Sequence, residues 1–343
     1  MNYGKVSESV YNRTVYKTIH TNGYYDKITA NSAVLGADCA IVPLTAEDKG
    51  IAHVTASGQA SGKDAAVAVR AAQHALNHLA VLGALCVNTQ KEKAAAYITL
   101  NLSIPAEFRE AKLRAVLEKV TLVMAEQHVT ILTTEVQVIP QITTVLATAN
   151  AQVYAEQNKL FMPGGALPEQ DVVMTKWLGL EGTAAITDRK LRELQTRYPM
   201  PLLEEAAAFE QYLSIVPEAA TAAKSGVSAM QVVREGGIFG ALWELAQESG
   251  VGLVIDLKKI PVKQETIEVC EFFDANPYKL LSGGSLLFTT NKGMKLVELL
   301  EQQGIAAAVI GKTTQGNDRI LVNEEERRFL EPAREDEIYK ILG

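Results

Sequence analysis

Two glycine-bearing stretches carry residue types that could do chemistry. One is Leu178-Gly179-Leu180-Glu181-Gly182-Thr183 and the other is Glu235-Gly236-Gly237. A glycine pair at a helix start lets backbone N–H groups reach an anion, because no Cβ stands in the way. With carboxylates and a hydroxyl nearby, the two stretches suggest a polar cleft lined by backbone donors and suited to an anionic ligand. The competing reading is that the glycines only let a helix pack closely on a sheet.

Other constellations fall away on spacing. Gly58-Gln59-Ala60-Ser61-Gly62-Lys63-Asp64 imitates a phosphate-binding loop, but its glycines are four apart instead of five. Asp64 also stands where a magnesium-binding Ser or Thr belongs. His74 and His78 share a helix face at i, i+4, yet no acidic or Cys ligand accompanies them, so they read as ordinary helix histidines. Cys39 sits in an apolar run and reads as packing. No nucleophile elbow is present.

The elements that position the second glycine stretch are clear. Ile238, Leu242 and Leu245 recur at helical spacing, with Phe239, Trp243 and Ala246 one position round. Ser249-Gly250 ends that helix, and Val251–Ile255 reads as a buried strand. Upstream, Val34–Pro43 and Gly50–Ala56 are expected strands, Ser57–Lys63 a Gly/Ser loop, and Asp64–Leu82 an Ala-rich helix. Tyr97–Leu102 alternates as a half-buried strand, and Pro105 opens a helix whose stripe is Leu113, Val116, Leu117, Val120 and Met124. Val129–Val138 and Ile142–Ala149 complete a ββαβαββ unit. Pro163-Gly164-Gly165 marks the expected boundary. The later segments read as strands at 171–177, 286–290, 305–310 and 319–322, with helices through about 222 and at 265–273 and 294–303. Glu324–Arg328 and the C-terminal residues are charged and are expected at the surface. The domains are therefore drawn at 1–155 and 165–330, with a tail at 331–343.

Bulk properties narrow the class. The chain has 343 residues, 48% hydrophobic and 21% charged, with a net charge of −7. That charge argues against nucleic acid and anionic membrane as partners. Apolar runs such as Leu79–Val87 are too short to span a bilayer. Cys39, Cys86 and Cys270 form no CxxC pair. No signal-peptide core is seen, and a cytoplasmic protein is expected.

Three segments resemble the aminoimidazole ribonucleotide (AIR) synthase superfamily in order and spacing. They are Gly36-Ala37-Asp38-Cys39-Ala40-Ile41-Val42, Asn77-His78-Leu79-Ala80-Val81-Leu82-Gly83-Ala84 and Glu235-Gly236-Gly237-Ile238-Phe239-Gly240-Ala241-Leu242. The likeness covers about residues 30–322. Thr175-Lys176-Trp177-Leu178-Gly179-Leu180-Glu181-Gly182-Thr183 is most similar to the hydrogenase-maturation (carbamoyl dehydratase) branch.

The resemblance implies a mixed α/β, two-domain fold. The N-terminal sheets would join into a barrel across a homodimer, next to a C-terminal α/β domain. It implies ATP and Mg²⁺ as cofactors, and Asp38, Asn77, Lys176, Glu181, Gly182, Thr183, Glu235, Gly236 and Gly237 as cofactor-binding positions. Asp38 is the surviving metal ligand. Elsewhere the family's acids are replaced, by Ala37, Ala56 and His78, and Thr133-Thr134-Glu135 stands where a glycine pair and acid are usual. One carboxylate does not hold Mg²⁺ ions that each need one or two. The carbamoyl dehydratase reaction uses a C-terminal Cys, and no Cys follows Cys270. Lys176 or Arg234 is a cation that could stand in for the metal. Two functional readings follow. One is a homodimeric paralogue with lost or weakened ATP/Mg-dependent activity. The other is an active ATP-dependent enzyme that phosphorylates or activates an oxygen of a small or protein-bound substrate.

Overall fold

The computed structural model describes residues 6, 8–18, 39–44, 50–86, 95–162, 164–332 and 335–343. The chain divides into a unit spanning Ile19–Leu160 and a unit of Phe161–Gly343 together with Met1–Thr18. The N-terminal residues hold a short helix, α1 (Glu8–Tyr11), that runs on into a π-helical turn at Asn12–Tyr16.

The Ile19–Leu160 unit is built on strands β1 (Cys39–Pro43), β2 (Ile51–Gly62), β3 (Ala96–Ile104), β4 (Val129–Val138) and β5 (Val145–Glu156). Their order across the sheet is β1-β2-β5-β3-β4. Only β3 and β4 run parallel. Two helices, α2 (Val67–Val81) and α3 (Glu110–Glu126), follow β2 and β3 in the chain. Strand alternation sends Ala52, Val54 and Ala56 of β2, Ile98 and Leu100 of β3, and Ala149, Ala151 and Val153 of β5 into one core with α2. Helix α3 contributes Val116, Val120 and Met124, one residue per turn, and leaves its remaining positions at least partly exposed.

The expected loop at Ser57–Lys63 is instead the second half of β2, paired with β5 from Ile51↔Glu156 to Gly62↔Val145. The reason is packing. A Cβ on Gly58 would collide with the Ala71 carbonyl and stand 2.5 Å from the Ala75 nitrogen of α2. The glycine marks a close helix–strand approach, not a break in the strand.

The second unit holds a seven-stranded sheet in the order β12-β11-β8-β10-β6-β9-β7. Its strands are β6 (Asp171–Thr175), β7 (Ala229–Val233), β8 (Gly252–Asp256), β9 (Ser285–Thr290), β10 (Ala307–Thr314), β11 (Arg319–Asn323) and β12 (Glu326–Phe329). Its main helices are α4 (Leu180–Leu194), α5 (Met200–Ala207), α6 (Val216–Ala223), α7 (Gly237–Ser249), α8 (Gln264–Phe272) and α9 (Gly293–Glu301). Ile238, Phe239, Leu242 and Ala246 of α7 pack on Val172, Met174, Leu253 and Ile255 of the sheet. A second core joins Ile186, Leu203, Val269 and Leu280.

The C-terminal residues are only partly at the surface: Glu331, Glu335 and Lys340 are exposed, but others turn inward. Asp336 is 2% exposed, and Ile338, Ile341 and Leu342 of a last helical turn, α10 (Ile338–Leu342), pack against that second core. Glu326–Phe329, expected as exposed chain, is exposed but forms an edge strand on β11.

Candidate functional site

Both glycine-bearing stretches meet the same segment, Tyr278–Gly284. Gly179 is left-handed at φ 73° and caps the start of α4, and its N–H donates to Ser282 Oγ at 2.7 Å. One turn on, the Gly182 N–H donates to the Leu281 carbonyl at 2.8 Å. Glu181 is buried, and its carboxylate lies over Gly283, where an added Cβ would collide with it. Thr183 is fully buried, with its hydroxyl 3.1 Å from that of Thr266.

Gly236 and Gly237 are left-handed at φ 80° and 62° and begin α7. A side chain at Gly237 would collide with the Tyr278 carbonyl and stand 2.9 Å from that of Leu280. The Gly237 N–H donates to the Arg234 carbonyl, which also accepts from the Ser282 N–H. Close packing therefore accounts for Gly237.

The N–H of Gly236 meets an acid side chain of the chain itself. Asp336 Oδ2 accepts it at 2.7 Å, while Asp336 Oδ1 accepts the N–H groups of Leu281 at 3.0 Å and Ile338 at 2.9 Å. Burial pushes the Asp336 carboxyl up to about 7, and the Glu235 charge adds to that rise. The three backbone donors oppose both effects. Glu235 Oε1 in turn accepts the Tyr339 hydroxyl at 3.0 Å, and burial followed by the Glu235 charge raises that phenol well above its ordinary value. Sequence reasoning missed Asp336 and Tyr339. The only signal was an acid and an aromatic close together near the C-terminus, about a hundred residues from their partners.

Lys176 does not offer its charge to a ligand. Its ammonium donates to the carbonyls of Tyr212 at 2.8 Å, Ser214 at 2.6 Å and Gly284 at 3.0 Å, and pairs with Glu218 at 2.5 Å. Desolvation lowers its pKa, and Glu218 works against that shift. Lys176 has a positive φ of 53° at the end of β6, a conformation that its four contacts hold in place. Arg234 is half-buried beside Gly236 and makes contacts of its own.

In the first unit, Asn77 is buried and accepts from Gln73 at 2.9 Å. Gln73 accepts from Gln127 at 3.0 Å, which ties α2 to the end of α3. His74 and His78 point their Nδ1 atoms at the carbonyls of Gln59, at 2.9 Å, and Ser57, at 3.0 Å. A carbonyl only accepts, so both Nδ1 atoms carry the proton, and the histidines clasp α2 to β2. Ala56 is 2% exposed and faces the same core. Glu135 lies on exposed β4 and accepts from Gln137 at 2.8 Å. Asp38 lies outside the described residues.

A magnesium-held nucleotide needs carboxylates with free oxygens and backbone donors that are not already taken. Among the described residues, no group of three His, Cys, Asp or Glu side chains is placed to hold a metal ion. Glu235 and Asp336 are engaged inside the second unit, as are the N–H groups of Gly179, Gly182, Gly236 and Gly237. These donors and acids at the glycine stretches are therefore already partnered within the second unit. No helix among them is long and apolar enough to cross a membrane.

The chain thus combines a mixed five-stranded unit with a seven-stranded, helix-flanked unit. Residues 168–323, within the second unit, match the family "AIR synthase related protein, C-terminal domain". It is 22% identical over 251 residues to a putative hydrogenase expression/formation protein of Methanocaldococcus jannaschii, spanning 72% of this chain and 70% of that one. It is 26% identical over 195 residues to the carbamoyl dehydratase HypE of Cupriavidus necator, spanning 56% and 53%. The match to that enzyme thus covers about half its length. In fold, the chain is similar to E. coli HypE, with a TM-score of 0.66, 17% identity and coverage of 84% and 88%. It is also similar to a HypE in complex with ATP, with a TM-score of 0.63, 15% identity and coverage of 98% and 97%. At these identities the structural likeness is one of fold.

Proposed function

We propose that the chain is a hydrogenase-maturation-factor-like, homodimeric, cytoplasmic paralogue in which ATP/Mg-dependent activity is lost or much weakened. The observation that carries this reading is the Asp336 carboxylate on the Gly236 N–H. A helix start suited to a phosphate is already capped by an internal carboxyl group. The substitutions Ala37, Ala56 and His78 point the same way, because a Mg²⁺ ion needs carboxylate oxygens at such positions.

The open face of the first unit's sheet supports the dimer. His53, Thr55, Ser57 and Gln59 of β2, with Asn150, Gln152 and Tyr154 of β5, line the face turned away from α2. They form a neutral polar surface knit by His53–Gln152 at 3.1 Å and Ser57–Asn150 at 2.7 Å. Such a face suits a second sheet better than it suits a charged ligand.

A second reading keeps ATP-dependent activation or phosphorylation of an oxygen on a small or protein-bound substrate. It is favoured by the short segment that carries Asp336, since a carboxylate held by residues 335–343 can be displaced by a phosphate.

Calorimetric titration with ATP and Mg²⁺, followed by an ADP-release assay, separates the two. No heat and no ADP are expected from a protein that light scattering shows to be a dimer. Submillimolar, Mg²⁺-dependent binding with ADP release would establish the second reading and sink the first.

A further inference from the structure

The first unit contains a cavity of about 380 Å³ at the end of its sheet where β3 leads into α3. Its lining is Lys63, Pro105, Glu107, Phe108, Arg109, Lys112, Thr143 and Thr144. Lys63 follows the last residue of β2, Pro105–Arg109 join β3 to α3, Lys112 is in the first turn of α3, and the threonines precede β5. Three cations thus face one carboxylate on a protein whose net charge is −7.

The acids next to these cations in the chain are turned elsewhere. Asp64, adjacent to Lys63, is held by Arg70 through two bonds, Nη1 to Oδ1 at 3.0 Å and Nη2 to Oδ2 at 2.7 Å. The same carboxylate accepts the Ala66 N–H at 2.8 Å. Together the Arg70 bonds and that N–H outweigh burial and keep its pKa below the usual carboxylate value. Glu110, adjacent to Arg109, pairs with Arg114 at 3.3 Å. Among the described residues, Lys63, Arg109 and Lys112 have no ion-pair partner. Like charges gathered around a cavity repel one another, and a bound anion relieves that repulsion.

We infer that this cavity is a binding site for a small polyanion, a phosphorylated or polycarboxylate metabolite. Lys63, Arg109 and Lys112 meet its charge. Thr143 and Thr144 offer hydroxyls, and Phe108 and Pro105 provide an apolar wall. Arg109 brings a planar fork that takes two oxygens of one phosphate or carboxylate, whereas the lysines act as point charges. The cavity is of small-molecule size. It lies within the first unit and does not depend on the glycine stretches of the second. Lys63 belongs to the glycine-rich stretch rejected above as a phosphate-binding loop, so its role here comes from tertiary placement and not from that motif.

The test is calorimetry on the full chain at low salt, with pyrophosphate and citrate as separate probes and Mg²⁺ absent. Binding of at least one probe is expected, weakening as salt rises. The double substitution Arg109→Gln/Lys112→Gln should weaken it by about tenfold or more, and Lys63→Gln by a few-fold. Glu107→Gln should tighten it. All four side chains are exposed, so circular dichroism and the melting temperature should match wild type. Binding of pyrophosphate alone assigns a phosphorylated ligand, binding of citrate alone a polycarboxylate, and binding of both the shared charge. The inference is overturned if neither probe binds, if the double variant binds as wild type does, or if Lys292→Gln/Lys295→Gln at the start of α9 weakens binding equally.

Discussion

The carboxylate of Asp336 accepts the backbone N–H of Gly236 at 2.7 Å across a hundred residues of chain. The same side chain takes the N–H groups of Leu281 and Ile338. One buried acid therefore ties together the start of α7, the segment met by both glycine stretches, and the last helical turn.

Asp336 should make stability depend on pH. Its folded value is about 7 against 3.8 for the free group, so the folded chain holds a proton that the unfolded chain releases between those values. The stability contributed by the protonated form is complete below about pH 4 and falls as pH rises to about 7. The urea midpoint of wild type relative to Asp336→Asn should drop over that window and level off above it. A flat difference would refute the assignment.

Removing Lys176 leaves Glu218, at 1% exposure, as a buried charge without its cation. Lys176→Met should cost about 3–5 kcal/mol, and the double change Lys176→Met/Glu218→Gln should recover part of it. Chemical denaturation of the four proteins in the cycle measures both effects. Equal losses in the single and double variants would mean that the pair is not coupled.

Gly237 and Gly250 separate backbone strain from lack of space. Both have positive φ, but an added Cβ meets backbone carbonyls at Gly237 and nothing within 4 Å at Gly250. Gly250→Ala should cost about 1 kcal/mol, the left-handed penalty alone. Gly237→Ala should cost distinctly more, read as a larger fall in melting temperature.

The proposed dimer can be broken from the open sheet face. Thr99 on β3 pairs with Asn150 and turns to that face. Thr99→Arg places a charge where a second sheet would pack, and light scattering should then report a monomer with an unchanged far-ultraviolet spectrum. A persisting dimer would move the interface elsewhere.

The architecture was legible where burial follows local period. The ββαβαββ order of the first unit came from alternation in Tyr97–Leu102 and the four-residue spacing of Val116, Val120 and Met124. Gly58 misled because a strand glycine that admits a helix and a loop glycine look alike in sequence. Glu235-Gly236-Gly237 marked the start of α7 correctly. What faces that start was not legible, because the Asp336 contact depends on the fold and on no local pattern. The cation cluster around Lys63 and Arg109 was hidden for the same reason. Whether Lys63 is neutralised depends on which way Asp64 turns, and that is decided by Arg70 on the next helix turn.

The Gly236–Asp336 bond also has a place in time. Its closure joins chain segments separated by α7, β8, α8, β9, α9, β10, β11 and β12, so its loop entropy is unfavourable until most of the sheet has assembled. It is a late contact in folding. In a pulsed hydrogen-exchange experiment, the Gly236 amide should be among the last of its unit to become protected, and its protection marks the moment at which the unit is complete.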